Sequence, residues 1–133
     1  MVERMIPGEL TKDLEFLKEC GYTFEIVEEG QRIYIIFKDF PLPPGVYCFD
    51  KTELMIFTTQ FYPNAGFDMF WVDENLKLKN GNPPRNGEAL EVYMGKRWRR
   101  FSYHPYNAKP WNPSEDSVVS FIGNVQKRLT KGD

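Results

Sequence analysis

Histidine is almost missing from this chain: His104 is the only one in 133 residues. Cysteine occurs twice, at Cys20 and Cys48, with no Cys-x-x-Cys spacing and no Cys/His cluster. A structural zinc site is therefore not expected, and nothing in the sequence calls for another metal or a cofactor. No apolar run approaches the length of a membrane-spanning helix. The start, MVERMIPGEL, lacks the apolar stretch of a signal peptide. A cytoplasmic protein without a membrane partner is expected, its cysteines free thiols and not a disulfide. Burial is the usual fate of such thiols, so Cys20 is expected buried at a helix end and Cys48 partly buried in a turn. Charge of one sign is also lacking: 17 basic residues face 19 acidic ones, for a net −2. That balance gives no global pull toward nucleic acid or anionic lipid. The local run Lys96 to Arg100, KRWRR, is more simply a solvated hairpin end than a nucleic-acid patch.

Aromatics are plentiful, with 11 Phe, 7 Tyr and 3 Trp. They favour a packed core over disorder, and the length suits a single domain spanning 1–133. Leu10, Leu14 and Leu17 fall on one helical face, and Gly21 supplies the stop. Four strands are expected next, over 22–27, 32–37, 54–59 and 67–72. FPLPPG, from Phe40 to Gly45, interrupts the sheet, because proline cannot donate to a ladder. Short strands with tight turns read as an antiparallel meander. KLKNGNPPRNG then has turn density, and a small hairpin over 91–94 and 97–102 is expected about Gly95-Lys96. Asn112-Pro113-Ser114-Glu115 has the form of a helix start, so a helix is expected over 113–129 with Val118, Phe121, Ile122, Val125 and Leu129 inward. The fold class is α+β: an N-terminal helix, a four-stranded antiparallel meander, an irregular Pro/Gly-rich region and a C-terminal helix.

RRFSYHPYNAKPWNP, residues 99–113, holds the one histidine. Imidazole titrates near neutral pH, so His104 is the first candidate for proton transfer. The plainer role is a histidine hydrogen-bonded among aromatics. In an extended segment Ser102 and His104 point to the same side, so a Ser-His pair is geometrically open. The sequence identifies no acid partner for it. Asn75, Asn80 and Asn82 can each offer an amide, although Asn80-Gly81 also suits a tight turn. Trp71, Trp98 and Trp111 suit core positions, and Trp111 an anchor ahead of the last helix.

The order of elements resembles the ubiquitin-conjugating (UBC) fold. PLPPGVY stands where that family has a proline-containing segment and a glycine turn, and Phe61-Tyr62-Pro63 where its third strand ends in an aromatic and Tyr-Pro. The second half resembles a bacterial branch, the prokaryotic family E of ubiquitin-conjugating-like proteins. The residues that carry this are Asp68-Met69-Phe70-Trp71-Val72, Asn80-Gly81-Asn82-Pro83-Pro84, Trp98, Ser102-Tyr103-His104 and Trp111, in that order.

The resemblance implies a UBC-like domain. Conventional members form a thioester on a cysteine shortly after His-Pro-Asn, the asparagine stabilising the oxyanion. The matching region here, residues 73–87, has neither cysteine nor His-Pro-Asn. His104-Pro105-Tyr106-Asn107 follows that region and has one residue too many. The family implies that His104 faces the groove and that Cys48 lies far from it. Its implied partners are a ubiquitin-like modifier and an adenylating (activating) enzyme. The expected function is thus a non-conventional or pseudo conjugating-enzyme-like component of a bacterial ubiquitin-like modification system. His104, Ser102 and Asn80 are its candidate catalytic residues, with His104 a base or oxyanion donor. Two other readings remain open: an RWD-like interaction module without catalysis, and a hydrolase using Ser102 and His104.

Overall fold

A computed structural model describes residues 6–132. Residues 1–5, part of the stretch read above for a leader, and residue 133 lie outside the described residues. The first helix, α1, spans Gly8–Glu19 and buries Leu10, Leu14 and Leu17. It ends at Gly21, whose φ of 100° suits a residue without a Cβ. Cys20 is exposed, contrary to expectation. It is the C-cap residue, past the last turn of α1.

The sheet is antiparallel throughout and has six strands where four were expected. They are β1 (Phe24–Glu29), β2 (Arg32–Pro41), β3 (Lys51–Thr59), β4 (Phe70–Asp73), β5 (Leu90–Tyr93) and β6 (Lys96–Phe101), in the order β1-β2-β3-β4-β6-β5. The late hairpin is part of this sheet because β6 pairs with β4, Phe70 opposite Phe101. Its turn centres on Met94 and Gly95, at φ 52° and 72°, the two positive angles of a tight hairpin turn. β2 runs on through a register shift between Phe37 and Phe40, so pairing persists to Pro41, which stands opposite Lys51 at the end of the ladder. β4 starts later than expected, because Met69 adopts φ 62° and breaks the extended run.

The two sheet faces are finished differently. On one, Leu10, Leu14 and Leu17 of α1 join Ile33, Ile35, Phe37, Leu54, Ile56, Phe70 and the inward face of the last helix in the main core. On the other, Tyr34, Ile36, Met55, Trp71 and Trp98 form a second cluster, which neither α1 nor the last helix joins among the described residues. Charged side chains roof it. Arg32 lies 4.3 Å from the Phe57 ring centroid and Lys96 4.4 Å from that of Trp98. Arg100 meets Glu91 at 2.7 Å, and Glu91 also accepts from the Trp71 indole at 2.8 Å. The KRWRR run is therefore paired internally: Lys96 with Glu53, Arg97 with Glu74, Arg100 with Glu91, and Arg99 with backbone carbonyls.

The last helix, α2, spans Val118–Lys131 and buries Val118, Phe121, Ile122, Val125, Arg128 and Leu129. It begins five residues after the expected Pro113 (118 − 113 = 5), because two local devices compete. Asn112 closes a turn on itself: its side chain accepts from Ser114 N–H, and its own N–H donates to Asp116. Ser117 is extended at φ −152° and makes a reciprocal capping box with Ser120. Asn112 thus caps a turn, and Ser117 caps the helix.

Candidate functional site

Two groups of candidate residues flank β4. Past its C-terminal end begins the segment where a conjugating cysteine is expected, and its last residues return along β6, so that Asn86 O accepts from Ser102 N–H at 2.9 Å. Before its N-terminal end lie His104 and a cleft. The intervening strand covers only roughly 13 Å, at about 3.3 Å per residue.

The segment after β4 is held by hydrogen bonds from neighbouring elements. Arg99, 7% exposed, donates from its guanidinium to Gly87 O at 2.6 Å and Glu74 O at 2.8 Å. Arg128 reaches from α2 to Arg85 O and stacks over the Phe101 ring at 5.2 Å. Tyr47 pairs with Leu78 in an isolated bridge and donates its hydroxyl to Leu129 O at 2.8 Å. Asn80 accepts from Asn82 N–H at 2.9 Å while Gly81 takes φ 88°, so the Asn80 side chain shapes this turn.

Cys48 departs from expectation on both counts. It is exposed, and its sulfur lies against the segment it was expected to be far from. Lys77 N–H donates to Sγ at 3.4 Å, and the thiol faces Asn75 O at 3.8 Å. The physical cause is antiparallel pairing: the chain entering β3 lies beside the chain leaving β4, and Cys48 N–H bonds Lys77 O at 2.9 Å.

At the other end, His104 finds the acid partner that the sequence did not identify. Its Nδ1 lies 3.0 and 2.9 Å from the two Asp68 oxygens. Such a carboxylate orients the ring and leaves Nε2 for a substrate. Asp68 is placed by its neighbour: Met69 N–H donates to Tyr103 O at 3.1 Å, holding the strained Met69 and the loop together. Ser102 is fixed through its backbone N–H to Asn86 O at 2.9 Å. Among the described residues no hydrogen bond joins the Ser102 hydroxyl to His104. Asn80 sits beyond the opposite end of β4, so the structure does not gather His104, Ser102 and Asn80 into one cluster.

Beside the His104–Asp68 pair opens a cleft of about 480 Å³. Phe57, Thr58 and Thr59 of β3, Gly66 to Met69, and Tyr106, Asn107 and Trp111 line it. Trp111, expected as an anchor ahead of the last helix, donates its indole N–H to Pro63 O in the loop after β3 at 2.7 Å. Gly66 lies flush beneath that ring, where an added Cβ would stand 2.3 Å from the Trp111 ring. Tyr62, in a cis bond to Pro63, binds the layers behind the cleft. Its hydroxyl donates to Asp13 of α1 at 2.7 Å and accepts from Val118 N–H of α2 at 2.9 Å. Burial, and then the Asp13 carboxylate, push the Tyr62 phenol well above the ordinary tyrosine range. Burial likewise raises Tyr106 and Tyr103. Sequence reasoning missed Asp68, Arg99 and the Tyr62 bridge. Asp68 and Tyr62 lie in stretches already quoted, but their partners are 36 and 49 residues away.

Among the described residues no three or more His, Cys, Asp or Glu side chains are grouped to hold a metal ion, and no helix is long and apolar enough to cross a membrane. The profile of the family described as Prokaryotic E2 family E matches residues 10–132. No curated protein and no solved structure matches the chain.

Proposed function

From the premise that the chain belongs to Prokaryotic E2 family E, we propose that it serves a bacterial ubiquitin-like modification system as a non-conventional conjugating-enzyme-like protein that works by binding. Its partners are the ubiquitin-like modifier and the adenylating enzyme. The observation that carries this reading is the segment after β4. It has no cysteine, and Arg99 and Arg128 hold its backbone in place. A thioester cannot form there without a thiol. Guanidinium–carbonyl bonds, buried or part-buried, also give the segment a fixed surface for a partner.

The test mixes the protein with activating enzyme, modifier and ATP. A non-covalent complex is expected, with no adduct that thiol removes. A thiol-sensitive adduct lost in Cys48→Ser would overturn the binding reading, since Cys48 is the thiol beside that segment.

A second reading is favoured by the Asp68 contact: His104 as a general base, with Ser102 or water as nucleophile. Labelling of Ser102 by a fluorophosphonate would support a hydrolase. An RWD-like module differs from the leading reading in its partners, and binding to neither modifier nor activating enzyme would favour it.

A further inference from the structure

The cleft beside His104 lies where two strands part. β3 and β4 pair as far as Met55 opposite Trp71, and the ladder ends there. The next step would set Phe57 opposite Met69. Met69 instead takes φ 62° and donates its N–H to Tyr103 O at 3.1 Å. Phe57 lines the opening that results, a cavity of about 480 Å³, within the range of pockets that take small molecules. The Phe57 ring is already covered, by Trp71 stacked at 5.1 Å and by Arg32 at 4.3 Å, so what it offers the cleft is backbone.

Alternation along the strands decides where that backbone points. Lys38 N–H donates to Thr23 O at 3.1 Å, on the β1 side of β2. Successive residues of a strand turn their backbone groups to opposite neighbours. Arg32, Tyr34 and Ile36 therefore also bond toward β1, and Ile33 and Ile35 toward β3. Their partners Thr58 and Ile56 are satisfied by β2. Phe57, between them, turns its N–H and C=O the other way, into the gap. Among the described residues neither group has a hydrogen-bond partner there. The open stretch is one residue long: Met55 is paired with Trp71, and Thr59 O accepts from Tyr62 N–H at 3.1 Å. An added strand needs a longer run of free backbone, so the gap suits a small ligand better than a peptide.

We propose that this cleft binds a small planar nitrogen heterocycle with a hydrogen-bond donor and an acceptor on adjacent atoms, as on the edge of a lactam or a nucleobase. Its acceptor takes the Phe57 N–H, its donor bonds the Phe57 C=O, and its ring packs among Phe67, Tyr106 and Trp111. Extended backbone presents one residue's N–H and C=O side by side, which matches such an edge. Phe57 is only partly buried, so water meets these groups in the free protein, and a ligand that repeats both bonds displaces it without loss. The walls are set in advance, with Trp111 held by Pro63 O and flush on Gly66, so little entropy is lost on binding. The site uses none of residues 74–87 and does not rest on the conjugation reading.

The experiment is NMR on the full chain, in two steps. In the free protein the Phe57 amide should exchange with solvent about tenfold faster than those of Ile56 and Thr58, which bond to β2. Titration with 2-quinolone, a planar lactam, should then give saturable shifts at the Phe57 amide, the Gly66 amide and the Trp111 indole N–H, and should slow Phe57 exchange. Two analogues keep the ring and the acceptor and lose the donor: 1-methyl-2-quinolone and quinoline. Each should bind about tenfold more weakly, the loss of one hydrogen bond in a closed site. Equal protection of Phe57, Ile56 and Thr58 in the free protein would overturn the proposal. So would equal binding of the N-methyl analogue, or the absence of saturable shifts up to the solubility of 2-quinolone. None of these results bears on the complex with modifier or activating enzyme.

Discussion

The two ends of β4 face opposite tasks. From the C-terminal end, residues 74–87 run back along β6 to Ser102, tied by arginine side chains to backbone carbonyls, and the thiol at the start of that path is engaged by Lys77 N–H. At the N-terminal end, polar groups are left partly free: His104 offers Nε2, Asp68 is half exposed, and the cleft stands open beside them. The lesson is that the place where the family's chemistry is expected and the place with available chemical groups need not coincide.

Substitutions can break this contrast, beginning with the largest effect. Arg99→Ala removes two charged hydrogen bonds, one buried and one part-buried, and should cost about 3 kcal/mol in urea unfolding. Hydrogen exchange should rise across residues 74–87 and stay level at Gly66–Met69; equal loosening of both ends would erase the distinction. Gly66→Ala attacks the other end. Its Cβ would stand 2.3 Å from the Trp111 ring, so about 2 kcal/mol of strain is expected, with altered Trp111 fluorescence and intact exchange protection after β4.

Tyr62→Phe tests the brace behind the cleft and should cost about 1.5 kcal/mol, read as a lower urea midpoint. Its pH dependence has a definite sign. The folded-state pKa of Tyr62 is raised, so its contribution is full below the ordinary tyrosine pKa of about 10 and falls as pH rises through the folded value. The wild-type protein should lose stability above about pH 10, and Tyr62→Phe should lose less. Tyr22, Tyr93, Tyr103 and Tyr106 are raised as well, so part of the alkaline loss should remain. Cys48→Ser should be the mildest change, under about 1 kcal/mol by thermal unfolding, because the thiol is exposed and its bonds are long.

Legibility from sequence followed the range of the interactions. The Leu10, Leu14 and Leu17 stripe and the Val118 to Leu129 face were readable because helical periodicity is local. The start of α2 was misplaced because Asn112 and Ser117 both carry cap chemistry, and only the chain's path decides which one opens a helix. The hairpin was visible, but its joining to β4 was not, because that pairing spans the irregular 74–89 stretch. His104 stood out by rarity alone. Its partner did not, since nothing near His104 in sequence indicates Asp68.

Composition, periodicity and turn residues by themselves determined an α+β chain with terminal helices around short antiparallel strands. A dispersed motif series, from Tyr62-Pro63 through Asp68-Met69 to Trp111, led to the family. Sequence alone also determined that residues 73–87 contain no cysteine. Tertiary structure decided the rest: that Cys48 is exposed beside that segment, that Arg99 holds its backbone, and that Asp68 orients His104 at an aromatic cleft. The physical reason is common to all three. Each contact joins groups far apart along the chain, and antiparallel pairing with loop packing sets their distance.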